Sequence, residues 1–165
     1  MIVRKITCAA VALLWLSAGL AFLHPWGDVR NAILEGEILD GATVPANVRV
    51  ILETKCADCH SNRTHWPVYS RLAPISWLLE HDVRAAQTVM DLSRWKEMSA
   101  NEQTAALTRI AAEARSGQMP LRAYTLMHPA ARLSPEDKRN LIAWARAERT
   151  RVRATAEQPK GADHQ

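Results

Sequence analysis

Phenylalanine occurs once in this 165-residue chain, tyrosine twice and glycine six times. Runs of β-branched and aromatic residues of the strand-forming kind are scarce, so no extensive sheet is expected. Cysteine occurs three times. Beyond Cys56 and Cys59 there is no second pair to complete a usual zinc site. No strand–helix–strand pattern surrounds that pair, which argues against a thioredoxin-like setting. Neither sign of charge dominates. Removing Arg4 and Lys5 from the 21 basic residues leaves 19 against 17 acidic ones. That balance is too small and too mixed for nucleic-acid binding. No acid–base constellation for substrate turnover is evident, and there is no internal repeat.

What is present points to helix. Alanine, leucine, glutamate and arginine dominate after residue 70, and the length suits one domain with appendages. Met1 to Lys5 is short and basic. Ile6 to Leu23 then runs uncharged for about 18 residues, a helical rise of about 27 Å against a hydrocarbon core of about 30 Å. The positive-inside rule keeps Arg4 and Lys5 in the cytoplasm and sends the chain after His24 outward, into the periplasm. Residues 1–24 therefore read as an export signal, retained as an inner-membrane anchor because the run is long and Ser17–Ala21 makes a poor cleavage site. The alternative is cleavage and a soluble periplasmic protein. Cys8 reads as a small apolar residue of this segment.

Residues 25–43 read as a linker, with a weak helical signal over Val29–Leu39. Residues 44–153 read as the folded domain and 154–165 as a disordered polar tail. Val44, Val48, Ile51 and Leu52 repeat at helical spacing in a helix over Ala46–Lys55 that runs into Cys56. A loop over Ser61–Ala73 leads to a helix from Pro74, with Trp77, Leu78, His81 and Ala85 on one side. Ser99 and Glu102 form a capping box for a helix that buries Leu107, Ile110, Ala111 and Ala114 and stops at Gly117. Ser134-Pro135 opens the last helix, carrying Leu141, Ile142, Trp144 and Ala145. The late arginines 146, 149, 151 and 153 read as its solvated face, or else as a docking surface for an acidic partner.

Cys56-Ala-Asp-Cys59-His60 has the C-x-x-C-H spacing of covalent haem attachment. Thiols one helical turn apart can each reach a vinyl group on one edge of the macrocycle, and the next histidine then stands under the iron. Three other chemistries use such residues: zinc binding with His60 and His65, a thiol redox pair, and a structural disulfide. The export signal and the missing second cysteine pair favour one covalent haem c, with iron held by His60. An electron carrier needs a second axial ligand. Met119 is the choice, in a loop after Gly117 and stiffened by Pro120; the rivals are His128, Met127 and His81. Met90, Met98 and Met127 read as core filling. His65 is too close to His60 to reach the opposite face. Trp66 and Trp77 read as packing on the haem edge. Tyr69 and Arg71 are candidates to donate to a propionate.

Several stretches occur together in order: Val44-Pro45, Cys56–Asn62, Trp66-Pro67, Tyr69-Ser70, Ala73–Leu78, His81-Asp82-Val83, Met119-Pro120, Tyr124 and His128–Ser134. Over about Val44 to Arg149 the chain thereby resembles the bacterial haem-binding domain family of cytochrome c-like proteins. The resemblance implies an all-α, cytochrome c-like domain around one covalent haem, in a periplasmic or membrane-bound setting. It says little of the redox partner. The expected function is one-electron transfer rather than enzymatic turnover. A peroxidase-like enzyme with an open iron position and a membrane-tethered redox or gas sensor are the alternatives.

Overall fold

The computed structural model describes residues 2–25 and 37–158. Among these residues the chain forms seven α-helices and no strand: α1 (Ile2–Leu20), α2 (Ala46–Lys55), α3 (Ala57–His60), α4 (Ile75–Val89), α5 (Ala100–Ser116), α6 (Arg122–Met127) and α7 (Pro135–Glu157). Short 3-10 turns occupy Val68–Arg71, Leu92–Glu97 and Pro129–Ala131. The all-helical expectation holds for the described chain.

The core lies on one side of the domain. Helices α5 and α7 pack along each other, and α2 lies against α7. Their inward positions recur at three and four residues, the spacing that lines one helical face. Ala106, Leu107, Ile110, Ala111 and Ala114 of α5 meet Leu141, Trp144, Ala145 and Val152 of α7, with Val48, Ile51 and Leu52 from α2. Each fully buried leucine or isoleucine contributes about 1.5–3 kcal/mol. Both predicted capping boxes form, Ser99 with Glu102 and Ser134 with Asp137. Gly117 ends α5 at φ +73°, a left-handed turn that suits glycine.

The second half of the expected linker belongs to the core. Ile38 and Leu39 are fully buried. Leu39 adopts φ +59°, its N–H donates to the Leu92 carbonyl at 2.8 Å, and its own carbonyl accepts from Ala42 at 2.9 Å. A left-handed leucine costs about 1–2 kcal/mol, which burial of its side chain offsets. Glycine and proline composition hid these two positions. The helical signal over Val29–Leu39 lies largely outside the described residues. At the other end α7 continues to Glu157, past the expected break at 154, and Thr155 Oγ1 donates back to the Arg151 carbonyl at 3.0 Å. The alanines at 154 and 156 favour that extra turn.

Two of the late arginines are engaged internally. Arg151 Nε donates to the buried Glu148 carboxylate at 2.8 Å, and Glu148 accepts the Thr43 N–H at 3.0 Å. Arg149 reaches Thr108 Oγ1 at 3.2 Å. Arg146 and Arg153 stay exposed.

Helix α4 is arranged contrary to its polarity. Ser76, Glu80 and Val83 are its buried positions. Of the side that carries Trp77, Leu78, His81 and Ala85, Leu78 is 58% exposed, and Ile75 is 45% exposed.

Candidate functional site

Helix α2 ends where the chemistry begins. Lys55 Nζ donates to Asp137 at 2.7 Å and to the Arg132 carbonyl at 2.9 Å, tying the end of α2 to the start of α7. Cys56 leaves the helical region at φ −125°, and the chain re-forms a single turn as α3. The Cys56 carbonyl accepts N–H bonds from Cys59 at 3.2 Å and His60 at 3.0 Å. The two thiols therefore stand one turn apart, as the spacing predicts. Both are free and partly buried.

Burial pushes the Cys56 thiol up to about 12, with Cys59 adding to the rise. Burial raises Cys59 to about 11, reinforced by Asp58 and Asp82. Both groups are neutral thiols at physiological pH. A redox-active cysteine needs the opposite shift, toward the thiolate. Among the described residues, no three histidine, cysteine, aspartate or glutamate side chains cluster as a metal-holding group. His65, the imagined fourth zinc ligand, instead bonds Asp58 through Nδ1 at 2.9 Å.

His60 is held by an atom that no side-chain pattern reveals. Its Nδ1 lies 3.0 Å from the Met90 carbonyl oxygen. With Nδ1–H donating there, the Nε2 lone pair is left for a metal. This is the usual orientation of a ligating imidazole. Gln87 Nε2 donates to the Ser61 carbonyl at 2.8 Å, and Asn62 N–H to Ser93 Oγ at 3.0 Å. Helix α4 and the turn at Leu92–Glu97 thus brace the residues after His60.

Asp58, between the two cysteines, is the hub of the site's polar bonds. Its carboxylate accepts from His65 N–H at 3.0 Å and from the Tyr124 hydroxyl at 2.7 Å. Burial would raise its pKa, but the His65 and Tyr124 bonds together hold it below the ordinary aspartate value. Tyr124 is shifted upward by burial and by this bond to Asp58. The Tyr124 ring stacks on His128 with centroids 4.6 Å apart, and His128 Nε2 is hydrogen-bonded to the Tyr69 hydroxyl. Helix α6 is thereby fastened to the cysteine turn and to the loop after it. The Tyr69 hydroxyl, weighed above as a propionate donor, is taken by His128.

Met119 lies in the loop between Gly117 and α6, 37% exposed, five residues before the tyrosine that bonds Asp58. Met127 is 61% exposed, so it does not fill the core. Met90, by contrast, is buried there. His81 is exposed and contacts Asp82 at 3.3 Å. Trp77 is turned to the end of α1: its Nε1–H donates to the Leu23 carbonyl at 2.7 Å. Sequence reasoning passed over three contributors, Asp58, Tyr124 and the Met90 carbonyl. An aspartate between the cysteines and a tyrosine shortly after Met119-Pro120 were visible signals for the first two; a backbone carbonyl leaves none.

Cys56, Cys59 and His60 share one turn and could hold a cofactor between them, and Met119 sits in the loop before α6, whose Tyr124 is bonded to Asp58 of that turn. Residues 16–147 match the family described as a haem-binding domain. No curated protein and no solved structure matches the chain.

Proposed function

The chain belongs to the haem-binding domain family, and from that premise we propose that it is a periplasmic, membrane-anchored one-electron carrier with a single covalent haem c. The observation that carries this reading is the cysteine turn: two free thiols one turn apart beside an imidazole whose Nδ1 is occupied by the Met90 carbonyl. A thiol is the form that adds across a vinyl group, its sulfur bonding one carbon and a hydrogen ending on the other.

The surroundings fit a large apolar group. Ile75, Leu78, Met119, Leu121, Leu126 and Met127 are large apolar side chains left exposed in the segments that follow the cysteine turn. Six such residues in these segments match what a macrocycle needs to complete a core. Cys56 and Cys59 would hold its edge and His60 its iron. The bound group would supply a ferric–ferrous couple.

For the second axial ligand we favour Met119. His128 is committed through Nε2 to Tyr69 and through its ring to Tyr124, and His81 contacts Asp82. A loop methionine needs no such bond broken, and its thioether favours the reduced state. The physiological redox partner would be another protein that meets the exposed edge of this site.

The test has two steps. Denatured protein should keep its haem stain on a gel and gain one haem in mass, and Cys56→Ala with Cys59→Ala should lose both. Retained stain in that double variant would remove the thioether assignment. Met119→Ala should keep the haem but turn the ferric spectrum high-spin, lower the potential and admit carbon monoxide to the ferrous form. A wild-type spectrum that is already high-spin and carbon monoxide-sensitive would favour a catalyst or sensor over a carrier.

A further inference from the structure

The apolar N-terminal helix and the haem domain are joined by more than the chain between them. From Ile2 to Leu16 helix α1 is exposed throughout, whereas Ser17, Ala18, Leu20, Ala21 and His24 are half-buried. Ser17 meets Ala73 twice: its carbonyl accepts the Ala73 N–H at 3.2 Å, and its hydroxyl donates to the Ala73 carbonyl at 2.5 Å. Trp77 donates to the Leu23 carbonyl at 2.7 Å. His24 Nδ1 lies 3.0 Å from both carboxylate oxygens of Glu80, whose side chain is 0% exposed. Positions 73, 77 and 80 follow one face at the start of α4, so the contacts form a continuous joint.

The match to the haem-binding domain family independently begins at residue 16, inside α1 and one residue before Ser17. The end of the helix is thus part of the domain in sequence as well as in contact. Length then sets the geometry. With Arg4 and Lys5 on the cytoplasmic side, the freely exposed uncharged stretch from Ile6 to Leu16 rises about 16 Å, short of a hydrocarbon core of about 30 Å. The missing reach must come from the joint and its neighbours. Phe22 is 82% exposed, Leu23 58% and Val68 83%. Phe22 and Leu23 are in the joint itself; Val68 lies in the turn that leads to Ala73.

We propose that the haem domain is seated on the lipid surface, its Ala73–Glu80 corner built onto the end of α1 and the apolar side chains beside that joint meeting the membrane interface. A flexible tether would let the domain swing free of the bilayer. This seat instead holds one face toward lipid and fixes the distance from membrane to haem site. The inference rests on retention of α1, as read above.

Three measurements on the full-length, haem-loaded protein test it. N-terminal sequencing decides retention: a mature start near Ala21 to Pro25 removes the anchor reading and this proposal with it. With the helix retained, Ser17→Cys with Ala73→Cys in a Cys8→Ala background should form a disulfide in most molecules, while Trp15→Cys with Ala73→Cys should not. Absence of the first crosslink overturns the joint and leaves the anchor reading intact. In phosphatidylcholine nanodiscs carrying a photoactivatable diazirine near the glycerol, adducts should map to residues 66–78 as well as to α1. Adducts confined to α1 would show the domain held away from the bilayer and overturn the seat.

Discussion

The domain has two sides that are held together by different means. On one, α2, α5 and α7 bury a continuous apolar cluster that includes Ile38, Leu39, Leu92 and Trp95. On the other, between His60 and Val89 and from Gln118 to Ala131, the buried apolar side chains are small or few, Ala73, Val83 and Ala131. That side is organised by hydrogen bonds around Asp58, Ser61 and His128, and it leaves its large apolar residues at the surface. The first side has the burial to fold by its own hydrophobic effect. The second is a hydrogen-bonded scaffold with little apolar burial of its own. On the function proposed above, a bound haem would supply packing for that half of the domain as well as its ferric–ferrous couple.

The largest effect that separates the two sides is a cavity in the first. Leu107→Ala should cost about 2–5 kcal/mol, because Leu107 is fully buried between α5 and α7. Urea unfolding followed by helix circular dichroism should show this loss with haem and, in the Cys56→Ala, Cys59→Ala background, without it. Leu78→Ala, at a position 58% exposed, should cost about 0.5 kcal/mol or less without haem. Equal losses for the two variants in the haem-free protein would erase the distinction between the sides.

A smaller and more local effect is expected at Tyr124. Tyr124→Phe keeps the ring on His128 and removes the hydroxyl that donates to Asp58 at 2.7 Å. A hydrogen bond to a charged acceptor is worth about 1.5–3 kcal/mol. The loss should fall on α6 and the Met119 loop. Amide exchange should quicken over residues 119–128 and stay unchanged in the middle of α5 and α7. If α5 and α7 lose protection in step with α6, the two sides unfold as one unit and the comparison fails.

How legible each side was in the sequence follows from the same division. The apolar side announced itself. Its helices carry inward residues at three- and four-residue spacing, two capping boxes and a terminal glycine, all local signals that tertiary context had no reason to override. Ile38 and Leu39 escaped because Gly36 and Gly41 flank them and Leu39 takes a left-handed backbone that sequence patterns do not favour. On the site side the local motif alone was legible: Cys56, Cys59 and His60 share one helical turn, as their spacing predicts. Its organisation depends on pairs far apart in the chain, Asp58 with Tyr124 and His60 with the Met90 carbonyl, and periodicity carries no information about either. Helix α4 was not legible from apolar spacing because two of its three buried positions are the polar Ser76 and Glu80, while Ile75 and Leu78 are exposed.

The smallest effect lies at the seam between the sides, where Lys55, the residue before Cys56, is joined to the start of α7. Asp137 accepts from Lys55 Nζ at 2.7 Å and from the Ser134 N–H at 2.8 Å. Burial acts to raise its pKa, yet the Lys55 and Ser134 bonds hold it below the ordinary aspartate value. A carboxylate whose folded pKa is depressed stabilises the fold fully at pH values above its unfolded value of about 3.9, and that stabilisation is lost as pH falls through the lower folded value. The two partners are each 18% exposed, so solvent screens the pair in part and about 1 kcal/mol is the expected size. Asp137→Asn retains an oxygen acceptor for the helix start but carries no charge for Lys55. Its deficit relative to wild type should therefore be about 1 kcal/mol near pH 7 and shrink toward zero as pH falls below the unfolded value and through the lower folded one, where the wild-type carboxylate is itself protonated. Lys55→Met should show the same pH dependence, and the double variant should lose less than the two single losses combined. Urea midpoints at neutral and at acid pH decide the matter. A deficit independent of pH would mean that Asp137 acts as a neutral cap and that the Arg132 carbonyl, not the ion pair, holds Lys55 at the seam.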